Sequence, residues 1–119
     1  MLDNGFGQVG AAAALRIGGD DVRAAVAEWE RRHEELARQC EGLPLVPAHG
    51  GWSALFDAEA CGLDAPELSR RLLEQKVAAT PMTDAWGATV ATRYVRLVFS
   101  NEPIARLALL GERLRRALA

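Results

Sequence analysis

One arginine stands where this sequence most clearly indicates binding chemistry. The stretch YVRLVF, residues 94–99, alternates in the manner of a β-strand and places Arg96 in the middle of an apolar segment. One face of this predicted strand consists of Val95, Leu97 and Phe99. The other face consists of Tyr94, Arg96 and Val98. A guanidinium stays charged in proteins, so burying it without a partner costs several kcal/mol. Arg96 is therefore expected to meet either a protein carboxylate or an anionic ligand.

Few protein carboxylates are placed to satisfy that arginine. The candidates for a structural ion pair are Asp57, Asp84 and Glu102. The residue pattern alone does not decide between such a pair and an anionic ligand, so both interpretations stand at this point.

A reaction that needs a lysine nucleophile has one candidate. The sequence contains 13 arginines but a single lysine, Lys76. Because a Schiff base requires a primary amine, any such chemistry in this chain would depend on Lys76.

The histidines and cysteines are not spaced for catalysis or metal binding. His33 falls on an apolar helical stripe, where a packed and hydrogen-bonded histidine is expected, and His49 falls in a loop. Neither has Ser, Asp or Cys partners at a recognisable spacing. Cys40 and Cys61 are too few for a disulfide framework and lack metal-ligand spacing. A hydrolase or a metal site is not indicated.

Composition and charge exclude further classes of function. The chain has 119 residues, half of them apolar and a quarter charged, which predicts one globular domain. Its net charge is −2 and its pI about 5.7, so a nucleic-acid partner is not expected. The N-terminus lacks a basic region, and no apolar run is long enough to cross a bilayer. The totals predict a soluble, cytoplasmic protein.

Two helices are predicted to open the chain. The first covers residues 7–18 and is closed by Gly18 and Gly19. The second begins at Asp20 and Asp21, which offer an N-cap and a first-turn acid, and runs to about Gly42. One seam of this long helix is predicted to be buried, with His33 on the same line. Its apolar members are Val22, Ala25, Trp29, Leu36 and Cys40.

Short strands and further helices are predicted to follow. An extended piece at Leu45–Val46 precedes a strand over residues 52–57, in which Trp52, Ala54 and Phe56 share a face. A helix from an Asp64–Glu67 capping box to about residue 75 would be closed by Lys76. Strands over 77–80 and 94–99 then precede a final helix with Pro103 in its first turn. The predicted buried positions of these two helices are Ala65, Leu68, Leu72 and Leu73, and Ile104, Leu107, Leu110, Leu114 and Leu118.

Taken together, these features resemble the C-terminal small domain of class I/II, fold-type-I pyridoxal-phosphate-dependent aminotransferases. The resemblance extends from about Gln8 to the end of the chain, and the stretch KVAATP is most similar to kynurenine- and methionine-type members. The matching pieces are Arg31-Arg32, Pro47 followed by Gly50-Gly51 before an aromatic strand, LLEQKVAATP leading into Trp86-Gly87, and YVRLVFSNEP with an amphipathic helix.

That resemblance implies a fold and a domain organisation. The expected fold is α+β, with a small, largely antiparallel sheet covered by helices and preceded by a long interdomain-type helix. Residues 1–119 would form a single small domain, and the helical segment 1–42 would bridge to a large domain that is missing here.

The same resemblance assigns a role to Arg96. In this family, the arginine of the matching strand binds the α-carboxylate of the substrate through a bidentate salt bridge, and the reaction moves an amino group between an amino acid and a 2-oxo acid. Arginine suits this task because its planar fork donates two parallel hydrogen bonds to a carboxylate. The loop that holds Asp84 and Trp86 lies near the active site in the family, so either residue could touch substrate or belong to a plain surface loop.

The departure from the family concerns the cofactor. The Schiff-base lysine and the other pyridoxal-phosphate ligands of the family belong to the large domain. Lys76 maps to the small domain, and the nearest preceding serine, Ser69, is seven positions away instead of three. The expectation is that this chain alone neither binds pyridoxal phosphate nor transaminates, and that it needs a large cofactor-binding domain or forms a homo-oligomer.

Two alternatives to an aminotransferase segment remain open. One is a non-catalytic module that binds amino acids or other proteins through the same fold, and the other is a remnant without a present role. A segment of a larger enzyme should expose an apolar surface on the long helix and on residues 5–15, where the large domain would pack. An independent module should be polar there or should bury that surface in a homodimer.

Overall fold

The computed structural model describes residues 5–82 and 92–119. Two helices come first, α1 (Gly5–Ile17) and α2 (Asp20–Gln39), and strands β1 (Leu45–Val46) and β2 (Ser53–Asp57) follow. After a 3-10 turn at Glu59–Cys61, the remaining elements are α3 (Ala65–Glu74), β3 (Thr80–Pro81), β4 (Tyr94–Val98), α4 (Ile104–Leu107) and α5 (Leu110–Leu118).

The four strands form one antiparallel sheet in the order β1-β2-β4-β3. Its central pairing aligns Ala54 with Leu97 and Phe56 with Val95, and all four side chains are buried. Their neighbours in sequence point to the opposite face, which we call the outer face. The α+β arrangement and the alternation predicted for residues 94–99 are therefore confirmed. The outer face consists of Ser53, Leu55, Asp57, Tyr94, Arg96 and Val98, all half-buried.

The core lies between the inner face of the sheet and the helices α3, α5 and the C-terminal part of α2. Leu68 and Leu72 of α3 are fully buried, as predicted, whereas Leu73 is 65% exposed. The prediction for Leu73 was wrong because it lies about 100° around the helix from Leu72 and beyond the edge of the buried stripe. The other fully or nearly fully buried residues are Leu36, Cys40, Ala54, Phe56, Ala58, Ala65, Ala79, Val95, Leu97, Phe99, Leu107, Leu110, Leu114 and Ala117.

The strand predicted over residues 77–80 is reduced to its last residue. Helix α3 ends in a Schellman turn, in which Lys76 N–H donates to Leu73 C=O and Val77 N–H donates to Leu72 C=O, both at 2.9 Å. The Ser69 hydroxyl then donates to the carbonyl of Ala79 at 2.6 Å. Since the turn and this side chain already bind the backbone, strand pairing begins only at Thr80.

The final helix is divided in two at Ala108–Leu109. Gly111 lies so close to α2 that a Cβ atom there would be 2.6 Å from the carbonyl oxygen of Gln39. The close contact brings the start of α5 against α2, and Ile104 of α4 is left 40% exposed instead of buried. Pro103 precedes α4 as its N-cap and does not lie within its first turn.

The first half of α2 and all of α1 extend away from the core. The radius of gyration is 17.2 Å, whereas a compact chain of this length would have about 13.5 Å. Leu36 and Cys40 are buried as predicted, but Val22 and Ala25 are exposed, and Trp29, which lines a cleft with His49, is 36% exposed. Gly19, not Asp20, is the N-cap. The exposed large apolar side chains of this helical arm are Phe6, Val9, Leu15, Ile17, Val22, Val26 and Trp29.

Two further sequence predictions concern the loop residues Asp84 and Trp86 and the absence of a membrane-spanning segment. Asp84 and Trp86 lie outside the described residues. Within residues 5–82 and 92–119, no helix combines the length and apolar character that a bilayer crossing requires.

Replacing Lys76 with glycine should stabilise the fold. Lys76 has a φ of +62°, a left-handed conformation that places its Cβ too close to the backbone. Glycine removes that strain, and the hydrogen bond from Arg113 to the Lys76 carbonyl is independent of the side chain. We expect Lys76→Gly to raise the free energy of unfolding by about 1 kcal/mol, measured by urea denaturation. Gln75→Gly is the matched control, because Gln75 has a φ of −85° and should lose stability. A less stable Lys76→Gly variant would contradict the argument.

Acid should weaken the start of α3. Asp64 accepts the Glu67 N–H at 2.7 Å, so the predicted N-cap is confirmed, whereas the Glu67 carboxylate binds Arg70 and Arg71. These hydrogen bonds, that from Arg70 first, lower the pKa of Glu67 from 4.5 to about 2. A lowered pKa in the folded state stabilises the fold above the unfolded value, and this stabilisation is lost as the pH falls from about 4.5 to about 2. Urea midpoints measured across this range should fall less steeply in Glu67→Gln than in the wild type, and identical slopes would contradict the assignment.

Candidate carboxylate-binding site

Arg96 lies at the centre of the sheet's outer face. It pairs with Leu55 on one side and with Thr80 on the other, and Leu55 in turn pairs with Val46. Residues that pair across antiparallel strands share a face, so these four side chains form one row across the sheet. The arginine therefore emerges from a hydrogen-bonded central strand between a leucine and a threonine.

The guanidinium of Arg96 has no polar partner among the described residues. Its Nε atom is buried and makes no hydrogen bond, and the side chain forms no ion pair within residues 5–82 and 92–119. Its one close partner is aromatic, because the guanidinium carbon lies 5.0 Å from the centre of the Trp52 ring. An indole face attracts a cation without accepting a strong hydrogen bond from it. No acceptor among residues 5–82 and 92–119 therefore occupies the donors of Arg96.

Trp52 lies one residue before β2, so it is not bound by the alternation of the strand, and its ring contacts Arg96. The amides of Phe99 and Ser100 both donate to the Trp52 carbonyl at 3.3 Å, which fixes the tryptophan backbone beside the end of β4. Its side chain is 46% exposed. The sequence prediction that Trp52 shares a face with Ala54 and Phe56 is wrong, because its ring contacts Arg96 of the outer face and alternation holds only within the strand.

Of the three carboxylates considered as partners for Arg96, the two that the structure describes, Asp57 and Glu102, are occupied elsewhere. Asp57 is held by both Nε and Nη2 of Arg93, with the Nε to Oδ1 distance at 3.1 Å, and Glu102 pairs with Arg106 at 3.2 Å. The hydrogen bonds from Arg93 lower the pKa of Asp57, so this carboxylate stays ionised. Sequence reasoning missed Arg93, because its partner is 36 positions away and only the register of β2 on β4 brings the two together.

The geometry indicates how a carboxylate could bind. Because Nε of Arg96 is buried, the terminal nitrogens are the donors left for an incoming anion. Two terminal N–H groups can form parallel charge-assisted hydrogen bonds to the two oxygens of one carboxylate. The site can therefore hold and orient an acid.

Lys76 belongs to a different part of the molecule. It lines a cleft of about 230 Å³ with Leu36, Leu107 and Arg113, and Arg96 is not among the residues of this cleft. The lysine and the candidate carboxylate site are thus not brought together.

The histidines do not form a metal or catalytic site in the described residues. His33 packs on Phe99, as predicted, with ring centres 5.4 Å apart, and its buried Nε2 has no hydrogen-bond partner among the described residues. It lines a cleft of about 460 Å³ with His49, Glu30 and Trp29. No group of three or more potential ligands that could hold a metal ion occurs in residues 5–82 and 92–119.

Both cysteines are free thiols without features of a nucleophile. Burial raises the pKa of Cys40 to about 11, and burial also raises the pKa of Cys61. At neutral pH both are protonated, whereas a reactive cysteine requires a lowered pKa. The described residues therefore provide an anion-binding group without an adjacent thiolate nucleophile.

Arg32 connects α2 to the sheet. It donates to the Ser100 carbonyl and to Glu28, and its side chain is only 20% exposed. The Ser100 contact ties α2 to the segment that follows β4. Arg31, by contrast, is exposed and pairs with Glu28.

Comparison with known proteins gives matches only among solved structures. No protein-family model matches the sequence, and no curated protein matches it. An aromatic aminotransferase from Pyrococcus horikoshii matches with a TM-score of 0.66 and 27% identity, over 77% of this chain and 24% of the enzyme.

Aspartate aminotransferase from Thermus thermophilus matches as well. A tetra mutant of this enzyme gives a TM-score of 0.52 and 28% identity, over 76% of this chain and 22% of the enzyme. A structure of the same enzyme with maleate gives 0.51 and 28%, over 76% of this chain and 21% of the enzyme. The chain thus spans less than a quarter of the length of these enzymes, and it is related in fold and sequence to a segment of aminotransferases.

Proposed function

We propose that this chain is the C-terminal small domain of a fold-type-I, pyridoxal-phosphate-dependent aminotransferase, in which Arg96 binds the α-carboxylate of an amino acid or 2-oxo acid. One observation carries the proposal. Arg96 is a half-buried guanidinium at the centre of the sheet, and it has no polar partner among the described residues. The similarity to aminotransferases, one of them solved with the dicarboxylate maleate, supports a carboxylate as its ligand.

The contribution of this chain to the reaction would be positioning. A carboxylate bound by two parallel hydrogen bonds cannot rotate about its own axis, so its α-carbon is held in one direction. Arg96 is well suited to this because β4 is hydrogen-bonded on both sides, by β2 and β3. Trp52 covers the guanidinium and limits its alternative conformations.

The described residues of this chain do not fit a pyridoxal-phosphate site. The only lysine, Lys76, lines a cleft that Arg96 does not line, so no primary amine is available beside the bound carboxylate. We therefore assign the cofactor and its Schiff-base lysine to a large domain outside this chain, and we expect the chain alone to be inactive.

A partner for the helical arm is part of the proposal. Phe6 and Ile17 are 95% and 84% exposed, and Val22 is 65% exposed, whereas Val26 and Trp29 line a cleft with His49. Exposed apolar surface of this extent is typical of an interaction surface. It supports a large domain, supplied in cis or by another chain in the cytoplasm, and it disfavours an independent module with a polar arm.

The carboxylate site can be tested on the isolated chain. We expect 3-phenylpropionate to shift the NMR resonances of Arg96 and Trp52, while 3-phenylpropionamide, which lacks the charge, does not. Arg96→Gln should lower the affinity at least about tenfold, because a hydrogen-bonded ion pair contributes about 1.5–3 kcal/mol. Arg96→Lys should fall between the two, since it keeps the charge and loses the fork.

Arg116→Gln is the matched control for that experiment. Arg116 is an exposed arginine that pairs with Glu112 on α5, a helix of the core side of the sheet. The control variant should bind 3-phenylpropionate like the wild type. Equal binding by Arg96→Gln and the wild type would overturn the proposed role of Arg96.

The absence of a cofactor site in this chain gives a second prediction. After incubation with stoichiometric pyridoxal phosphate and reduction with borohydride, mass spectrometry should find no stoichiometric adduct on Lys76. Lys76→Arg, which lacks any lysine side chain, provides the background. A stoichiometric and site-specific adduct on Lys76 would contradict the assignment of the Schiff-base lysine to another domain.

A further inference from the structure

Asp57 is the carboxylate within the described chain that could compete with a ligand for Arg96. In the register of β2 on β4, Asp57 pairs with Tyr94 and Leu55 pairs with Arg96. Asp57 and Arg96 are therefore diagonal neighbours on the outer face. Diagonal neighbours of an antiparallel pair have Cβ atoms about 7–8 Å apart, a distance that an arginine side chain spans easily.

Arg93 prevents that pairing in the present structure. Its Nε and Nη2 atoms both bind the Asp57 carboxylate, and Nε also lies 3.3 Å from Glu59. Its guanidinium carbon stacks 5.2 Å from the centre of the Tyr94 ring, which fixes it beside the aspartate. Only 14% of the Asp57 side chain is exposed, and besides the Ala60 N–H, which donates to Oδ1 at 3.2 Å, Arg93 is its main hydrogen-bond partner.

The Arg96 side chain is directed toward Trp52 and not toward Asp57. Trp52 stands before the start of β2, whereas Asp57 stands at its end, and Leu55, opposite Arg96, lies between them. The Arg96 guanidinium lies over Trp52 and so points away from Asp57. The outer face thus allows two arrangements of Arg96, one over the indole with its donors free and one on the aspartate with its donors occupied.

We propose that Arg93 is a positioning residue that keeps Arg96 available for a ligand by occupying Asp57. This inference rests on the proposed function for the chemical class of the ligand, a carboxylate. The competition of Arg93 and Arg96 for Asp57 involves only side chains of this chain. Arg93 does not touch the ligand. It acts through Asp57. When Arg93 is removed, Arg96 turns to Asp57 and pairs with it.

The first experiment follows Arg96 directly and needs no ligand. In the wild type, the Nε–H and δ-proton resonances of Arg96 should carry the upfield ring-current shift of Trp52. In Arg93→Gln, that shift should be lost and the Nε–H resonance should move downfield as Arg96 turns to Asp57. In the double variant Arg93→Gln/Asp57→Asn, the wild-type shifts should return.

The second experiment measures the affinity for 3-phenylpropionate in the same proteins. Arg93→Gln should weaken binding about two- to fivefold, the range expected when an ion pair of this kind competes with the ligand. The double variant should recover the wild-type affinity, although it lacks one more charged residue. A purely structural role of Arg93 predicts the opposite, because removing both partners would not restore binding. Arg116→Gln again provides an arginine loss without a change of affinity.

The two experiments separate failure of the inference from failure of the proposed function. Unchanged Arg96 resonances in Arg93→Gln, or shifts that Asp57→Asn fails to reverse, would overturn the role of Arg93. The Arg96 resonances could instead change as expected while Arg96→Gln binds the carboxylate like the wild type. That result would uphold the role of Arg93 and overturn the proposed function. Single Asp57→Asn should leave Arg96 over Trp52, and a displacement there would also count against the inference.

Discussion

The antiparallel pairing of β2 with β4 is the constraint on which the rest of this structure depends. It places Phe56 opposite Val95 on the inner face and Leu55 opposite Arg96 on the outer face. Because side chains alternate along a strand, a slip of β4 by one residue would turn Arg96 toward the core and Val95 and Leu97 toward the outer face. The apolar contacts of the inner face therefore stabilise the position of the charged group, although they do not touch it.

The same register decides which charges are satisfied. Most arginines of the described residues find a carboxylate three or four positions away on their own helix, as Arg70 does with Glu67 and Glu74. Such pairs are local, and exposed pairs of this kind contribute little to stability. Arg93 differs, because its partner lies on another strand. Arg96 differs again, because it is half-buried and its neighbour is an indole instead of a carboxylate. The outer face thus combines one compensated and one uncompensated guanidinium within a few residues.

Much of this could be predicted where the determining interactions are local. The alternation around Arg96, the N-cap Asp64 and the buried positions Leu68 and Leu72 follow from strand pleat, side-chain capping and helix period. The extent of the strand before Thr80 could not be predicted, because it depends on a Schellman turn with lysine where glycine is usual and on the Ser69 hydroxyl.

The misses in the candidate site have a different origin. Trp52 lies outside the pleat by one residue, and its contact with Arg96 depends on where β2 begins. The pairing of Arg93 with Asp57 joins positions that are far apart in sequence, so no local pattern indicates it. A sequence can show that Arg96 needs a partner, but which carboxylates are already occupied follows only from the register of the sheet.

Two features of the described residues indicate that this chain needs contacts with further groups. One is an apolar arm whose large side chains are mostly exposed, and the other is a guanidinium for which the described residues provide no acceptor. A closed core of buried Leu, Val and Phe side chains lies between them, so neither is explained by a chain that failed to fold. Hydrophobic surface is covered by another polypeptide, whereas a single free charge is matched by a small anion. Under the proposed function, a large domain would cover the arm and a carboxylate ligand would satisfy Arg96.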